Sequence, residues 1–138
     1  YVDLADLARI PGFDPATLAR LENFVVVLPE VARVNVNFVG PEVLAAMLAD
    51  VSTGEAGSVI GRRAGSHFAS LTDFSNAFPP ALRGKLDQNA FTVESRYFLV
   101  ETDAWFGRVH LRYQALLARS GSSLPEVVWV RRAYGGSG

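Results

Sequence analysis

Two kinds of hydrophobic pattern follow one another along this chain, and they meet near residue 88. In the first part, apolar residues recur every three or four positions in short runs, which is the spacing of one helix face. In the second part, β-branched and aromatic residues cluster and in places alternate with polar residues, which is typical of strands. The pattern predicts an α+β protein, with a helical domain over residues 1–88, antiparallel strands over 89–134 and a flexible glycine-rich tail over 135–138.

The first helical run predicts a helix, a tight turn and a second helix. Gly12 in the turn allows a positive φ, Asp14 can cap the second helix, and Pro15 suits its first position. Apolar residues recur at helical spacing on both sides of the turn, at Leu4, Leu7, Ile10, Leu18 and Leu21. The chain therefore begins with a predicted helical hairpin.

A second hairpin is predicted after Val34-Asn35-Val36-Asn37, an extended segment whose asparagines are expected to hold a loop through hydrogen bonds to the backbone. One helix begins at Pro41, and another runs from about Glu55 to Arg63. The two arginines that end this helix are interpreted as favourable charges at the negative end of the helix dipole. The earlier stretch from Phe24 to Leu28 is interpreted as a buried extended segment or the tail of a helix.

A short helix is expected over residues 68–74. Ser70 or Thr72 is placed to cap it, and Pro79-Pro80 is expected to stop it.

Three antiparallel strands are predicted to follow. Turns are expected at Thr102-Asp103 and at Gly121-Ser122-Ser123, and Pro125 suits the start of an edge strand. The strands are predicted over residues 91–100, 105–117 and 126–132.

Composition narrows the possible functions without identifying one. A chain of 138 residues with 49% hydrophobic content is long enough for one compact domain or two small ones. The formal net charge of −1 provides no bulk attraction for polyanions, and the lack of cysteine excludes disulfides and thiolate chemistry. No apolar run approaches the roughly 20 residues that a membrane span needs. Because the chain starts at Tyr1 with no signal-like segment, we expect it to be a piece of a longer protein.

The turn at Ile10-Pro11-Gly12-Phe13 is of the kind through which helix-hairpin-helix modules present backbone N–H groups to a DNA phosphate. Asp14 follows this turn, however, and Asp50 stands at the equivalent turn of the second hairpin. Carboxylates repel phosphate, so we assign no DNA-binding residue and favour a structural use of the hairpins.

The residue types that carry catalysis are sparse. His67 and His110 are the only histidines, and we interpret them as a loop residue and a strand residue. A triad of Ser95, His110 and Asp103 can be written on paper, but a catalytic site requires geometry that the sequence does not show. No catalytic residue is assigned.

Aromatic residues are concentrated in the predicted strands. Trp105, Phe106, Trp129 and Tyr134 lie on or near these strands. Most such aromatics pack in a core, whereas one that faces outward is a good contact for a partner.

The order of motifs resembles a known family, the minor pseudopilin K of bacterial type II secretion, also called general secretion pathway protein K. The similarity covers nearly the whole chain to about Arg132. The motifs that carry it are Asp3 to Phe13, Phe24 to Pro29, Val34 to Asn37 followed by Pro41 to Leu44, Phe68 to Phe74, and Ser95 to Phe98.

The resemblance implies helix-hairpin-helix-like (SAM-like) hairpins followed by strands of a pilin-like sheet, in the C-terminal portion of a non-enzymatic protein. It implies a periplasmic domain of a Gram-negative bacterium, anchored in the inner membrane by an upstream helix. Members of the family assemble with minor pseudopilins I and J and cap the pseudopilus tip for protein export through the outer membrane. The family also binds calcium, for which Asp3 and Asp6 are the candidate ligands. The alternative is a helix-hairpin-helix DNA-binding protein of the competence-receptor kind.

Overall fold

The computed structural model describes residues 3–84, 86–121 and 123–132. It divides the chain into two compact units, Tyr1–Val93 and Glu94–Gly138. The first is mainly helical and the second is a β-sheet, so the predicted α+β class is confirmed. The specific packing of helix-hairpin-helix modules stays a prediction, and the predicted tail over 135–138 lies outside the described residues.

Short helices make up most of the first unit. Two 3₁₀ helices span Leu4–Arg9 and Arg62–Ala64. The α-helices are α1 (Pro15–Leu21), α2 (Pro41–Met47), α3 (Thr53–Gly61), α4 (Leu71–Asn76) and α5 (Pro80–Arg83).

Helices α1 and α4 begin where the sequence places capping residues. Asp14 accepts a hydrogen bond from the backbone N–H of Thr17 at 2.7 Å, with Pro15 following it, and Gly12 has a φ of 98°. Ser70 caps α4, which resolves the choice between Ser70 and Thr72. A side-chain oxygen at this position satisfies one of the N–H groups that a helix leaves without a partner, so the predicted starts are confirmed.

Helix α4 ends at Asn76, just before Pro79-Pro80, so the prediction that these prolines stop it is confirmed. A further helix, α5, begins at Pro80, where the missing N–H is tolerated. The prediction that Phe24 to Leu28 is a buried extended segment is wrong. The side chains of Phe24, Val25 and Val26 are exposed, since the segment runs over the surface after α1 ends.

A small parallel pairing extends the helical unit beyond its predicted end at residue 88. Strand β1 (Val34–Asn35) pairs with β2 (Phe91–Thr92), and Val36 N–H donates to the Thr92 carbonyl at 2.9 Å. The predicted strand over 91–100 is therefore two elements, because its first residues join the helical unit.

The core of the helical unit is built around phenylalanine rings. Phe74 lies at its centre, with ring centroids 5.4 Å from Phe68, 5.1 Å from Phe78 and 5.4 Å from Phe91, in edge-on or tilted arrangements that aromatic quadrupoles favour. The other buried members are Val36, Val39, Leu44, Leu48, Ala56, Val59 and Ala77. All of them follow residue 35, so none of the described residues of the first hairpin joins this core.

The second unit is an antiparallel sheet in the order β3-β4-β5, with strands at Tyr97–Phe106, Val109–Ala118 and Glu126–Arg132. The predicted turn at Thr102-Asp103 is wrong. Those two residues lie inside β3, opposite Tyr113 and Arg112. The chain reverses at Gly107 instead, whose φ of 61° is the left-handed conformation that glycine adopts without a steric penalty.

Candidate functional site

The loop between β1 and α2 is held from two sides. The side-chain oxygen of Asn37 accepts from the N–H of Phe68 at 2.8 Å, and its amide donates to the Phe68 carbonyl at 3.0 Å. Asn35 accepts from the N–H of Asn37 at 2.9 Å. The prediction that these asparagines hold a loop through backbone hydrogen bonds is confirmed.

Arg63 performs a role that the sequence analysis missed. Its Nη1 donates to the carbonyls of Val36 at 3.1 Å and Val39 at 2.8 Å, so it holds the same loop instead of only terminating a helix. No sequence signal distinguished Arg63 from Arg62, because both are arginines at adjacent positions near the end of the same helix. The loop leaves Phe38 pointing outward, 79% exposed, on a rigid base.

The turn of the first hairpin already carries an anion. The Asp14 carboxylate accepts from the N–H of Thr17, and this hydrogen bond is the main cause that lowers the pKa of Asp14. A phosphate bound at this helix start would meet a fixed negative charge. The geometry therefore disfavours a phosphate at this turn, and the lack of DNA-binding residues stays a prediction.

Asp3 and Asp6, the candidate calcium ligands, form a capping box at the start of the first 3₁₀ helix. Asp3 accepts from the N–H of Ala5 at 3.3 Å, and Asp6 accepts from the N–H of Asp3 at 3.4 Å. Calcium takes six to eight oxygen ligands. Within the described ranges there is no group of three or more His, Cys, Asp or Glu side chains that could hold a metal. Asp3 and Asp6 by themselves supply too few ligands in the described part of the chain, and calcium binding stays a prediction.

The triad of Ser95, His110 and Asp103 does not assemble. His110 Nε2 lies 2.7 Å from Asp103 Oδ1, but Ser95 precedes the end of β3 that pairs with Ala118. His110 lies at the opposite end of that strand pair, opposite Trp105. Strands rise about 3.3 Å per residue, which places Ser95 roughly 30 Å from His110. His67 and His110 lie in a loop and a strand, as predicted.

One face of the sheet, here called the polar face, carries a ladder of charged and amide side chains. Gln114 bridges its two neighbours by donating to Glu101 at 2.6 Å and accepting from Arg131 Nε at 3.0 Å. Arg112 Nε donates to Asp103 at 3.0 Å. This hydrogen bond, followed by that of His110, lowers the pKa of the Asp103 carboxyl. The hydrogen bond to Asp103 also raises the pKa of Arg112.

The opposite face, here called the apolar face, is hydrophobic along all three strands. Register places its residues side by side, because alternate residues of paired strands point to the same side. Val127 is 61% exposed and Val130 is 59% exposed. The other large exposed residues of this face where all three strands lie together are Phe98, Val100 and Tyr113.

Trp105 and Phe106 contradict the expectation that most strand aromatics pack in a core. Their exposed fractions are 69% and 86%, whereas Trp129 on β5 is half-buried. Tyr134 lies outside the described residues. Alternation along the strands was the signal that could have revealed the apolar face, but the misplaced turn at Thr102-Asp103 broke it.

A cavity of about 200 Å³ lies in the helical unit, mostly between α3 and the α4–α5 region. Its lining is mainly apolar, and two of its polar residues, Glu55 and Ser58, form hydrogen bonds within their own helix start. Ser58 donates to the Gly54 carbonyl at 3.1 Å, and Glu55 accepts from Ser52 at 2.6 Å. The lining therefore presents no nucleophile paired with a base.

The described part of the chain contains no helix long and apolar enough to cross a membrane.

Comparison with known sequences identifies a family. A family model described as "Type II secretion system (T2SS), protein K" matches residues 34–94. The Type II secretion system protein K of Pseudomonas aeruginosa (strain PAO1) is 33% identical over 107 residues, which are 78% of this chain and 31% of that protein. The chain therefore spans about a third of the length of this curated relative.

Comparison with solved structures supports the fold. A chain in the crystal structure of the GspK-GspI-GspJ complex from the type 2 secretion system of enterotoxigenic Escherichia coli superimposes with a TM-score of 0.80. Sequence identity is 19%, and the match covers 98% of this chain and 49% of that chain. At this identity the likeness concerns the fold.

The matched segment 34–94 contains nearly all of the phenylalanine-centred core, and the structural match extends the likeness through both units. The chain belongs to the family of type II secretion system protein K, the minor pseudopilin K.

Proposed function

We propose that this chain is part of a minor pseudopilin that works by assembly, without bond-making chemistry. In this proposal it joins minor pseudopilins I and J and caps the tip of the type II secretion pseudopilus during protein export through the outer membrane. The observation that carries the proposal is an exposed apolar face in a chain of this family. The structural likeness to a chain of the GspK-GspI-GspJ complex also supports the choice of partners.

The apolar face has the character of a subunit interface. Val127 and Val130 are more than half exposed on a sheet with neighbouring hydrophobic side chains. Soluble monomers seldom leave large continuous apolar patches in contact with water, and such patches usually mark interaction sites. Burying this face against a partner removes apolar area from water, which is the main driving force of stable association.

The proposed location is the periplasm, with attachment to the inner membrane through a helix upstream of this segment. Membership of the protein K family supports this location. In this proposal the bulk of the helical unit stops further subunits from adding.

The DNA-binding alternative is not favoured. The Asp14 carboxylate accepts a hydrogen bond from the N–H of Thr17 at the turn where a phosphate would bind. Residues 1–93 also hold ten acidic and seven basic side chains, a formal charge of −3 that repels a polyanion.

The test is size-exclusion chromatography of the chain, extended by the upstream half of its own protein, with pseudopilins I and J. We expect a 1:1:1 complex at about tens of micromolar protein. Asparagine at both Val127 and Val130 is expected to abolish it, because burying an amide without a partner is unfavourable.

Val31→Asn is the matched control, since Val31 is a fully exposed valine of the helical unit and its replacement is expected to leave the complex intact. Elution of free components only, with the unsubstituted chain, would overturn the proposal.

A further inference from the structure

The hairpin of β3 and β4 extends beyond the rest of its sheet. All described pairing of β5 with β4 lies between Tyr113 and Ala118. The pairing of β3 with β4 continues to Phe106 and Val109, so Asp103–Arg112 is a ribbon of two strands. Two-stranded ribbons are marginally stable in water, and their ends usually carry polar turn residues.

The end of this ribbon is instead apolar. Trp105 is 69% exposed, Phe106 is 86% exposed and Val109 is 52% exposed, around the turn residues Gly107 and Arg108. We call residues 105–110 the hairpin tip. Trp105 lies on the polar face and Phe106 and Val109 lie on the apolar face, so the end of the ribbon exposes large apolar side chains on both sides. Such apolar surface is favoured to leave water.

Side-chain contacts hold the tip in one shape. The Trp105 ring stacks on His110, with centroids 4.3 Å apart and planes 10° from parallel. His110 lies 2.7 Å from Asp103, which also accepts from Arg112. Little conformational entropy is therefore lost when such a tip enters another phase.

The charge of the sheet unit indicates what kind of surface the hairpin tip contacts. Residues 94–138 hold six arginines and four acidic side chains, a formal charge of +2, in contrast to −3 for residues 1–93. Arg108 lies at the turn itself, between the exposed aromatic residues and Val109. Tryptophan prefers the boundary between lipid headgroups and acyl chains, and arginine near a bilayer is attracted to anionic lipid.

We propose that the hairpin tip inserts into the headgroup region of an anionic lipid bilayer. The Trp105 ring and the Phe106 and Val109 side chains enter the interface, and Arg108 pairs with lipid phosphate. The net charge of −3 over residues 1–93 gives the helical unit no attraction to the same anionic surface.

The test uses the 138-residue chain with Trp129→Phe, which leaves Trp105 as its single tryptophan. Vesicles of phosphatidylethanolamine with phosphatidylglycerol are compared with vesicles of phosphatidylcholine. We expect co-sedimentation and a blue shift of Trp105 fluorescence with the anionic vesicles, and weakening of both as salt rises. Absence of binding to anionic vesicles overturns the proposal, as does equal binding to both lipids.

Variants distinguish lipid binding through the hairpin tip from nonspecific adsorption of the chain to vesicles. Serine at both Trp105 and Phe106 is expected to lower the partition coefficient roughly tenfold or more. Arg108→Gln is expected to lower it about fivefold. Phe38→Ser is the matched control, because Phe38 is an equally exposed aromatic of the helical unit. An equal loss with Phe38→Ser overturns the proposal.

The lipid test is independent of the proposed function. Asparagine at Val127 and Val130 is expected to abolish the complex with pseudopilins I and J while vesicle binding remains. If the tip variants do not form that complex and the unsubstituted chain does not bind vesicles, the tip is a protein interface and the proposal is wrong.

Discussion

The two units of this chain bury hydrophobic side chains to very different degrees. In the helical unit, four phenylalanines and their aliphatic neighbours form one enclosed core. In the sheet unit, Leu116 is the one hydrophobic residue that is fully buried among those described, and the apolar face remains in contact with water. The helical unit therefore encloses a hydrophobic core of its own, although Val31 and Phe38 remain exposed. The sheet retains a continuous apolar face that only another chain or segment can bury.

For the assembly role proposed above, this difference indicates which unit carries the interface. A closed core contributes stability and shape, and an exposed face contributes binding energy when a partner covers it. The substitutions below test this contrast between a closed core and an exposed face. Both tryptophans lie in the sheet unit, so tryptophan fluorescence reports on the sheet. Far-UV circular dichroism at helical wavelengths reports on the helices.

Phe74→Ala is expected to have the largest effect. Phe74 is 2% exposed and contacts three other phenylalanine rings, so its truncation is expected to destabilise the helical unit by about 3–5 kcal/mol. Phe106→Ala removes the same side chain from an exposed position and is expected to change stability by less than about 0.5 kcal/mol. Urea titration measures the first by circular dichroism and the second by tryptophan fluorescence, and similar losses would contradict the contrast.

Arg63→Ala is expected to cost the helical unit about 1–3 kcal/mol, because the carbonyls of Val36 and Val39 lose their charged donor. Arg62→Ala removes an adjacent, exposed arginine and is expected to be close to neutral. The difference between the two midpoints in urea gives the contribution of the loop contact. Equal midpoints would show that Arg63 does not hold the loop.

Alanine at two glycines is expected to act in opposite directions in the two units. Gly107→Ala places a side chain at a φ of 61°, which costs about 1–2 kcal/mol and loosens the β3–β4 hairpin. Gly57→Ala lies within α3 with no atom near its added Cβ, and it is expected to stabilise the helical unit by about 1 kcal/mol. Thermal unfolding measured with each unit's own probe would show effects of opposite sign, and effects of the same sign would refute this.

The smallest effect concerns pH and the sheet. Since its hydrogen bonds to Arg112 and His110 lower the pKa of Asp103, this carboxylate stabilises the sheet at pH values above the ordinary carboxyl range. That stabilisation is lost as pH falls below this range and through the depressed pKa. Asp103→Asn is expected to remove this part of the acid dependence of tryptophan fluorescence. An unchanged acid profile in the variant would disprove the assignment.

Local sequence signals predicted the helix starts well. Asp14 with Pro15, Ser70, and Gly12 act over one turn of helix, and the structure places each in its predicted role. Prediction was poorer where elements meet. Three features were not predicted: the helix that starts at Pro80, the hairpin turn at Gly107 and the parallel pairing of Phe91 with Val34.

The candidate interface was only partly visible in the sequence. Aromatic residues in the strands indicated a possible partner contact, but which of them face outward depends on register, and a misplaced turn changes register for the whole strand. Arg63 was likewise interpreted as a surface charge, because its partners are carbonyls of a loop more than twenty residues away along the chain.

By itself, the sequence determined the α+β class, the positions of most helices and the family resemblance, because caps, turns and hydrophobic periodicity act over a few neighbouring residues. Only the tertiary structure decided that Arg63 holds the Val36–Val39 loop, that β2 returns to β1 and that the sheet keeps an exposed apolar face. These features depend on contacts between residues far apart along the chain, and local residue preferences do not specify such contacts.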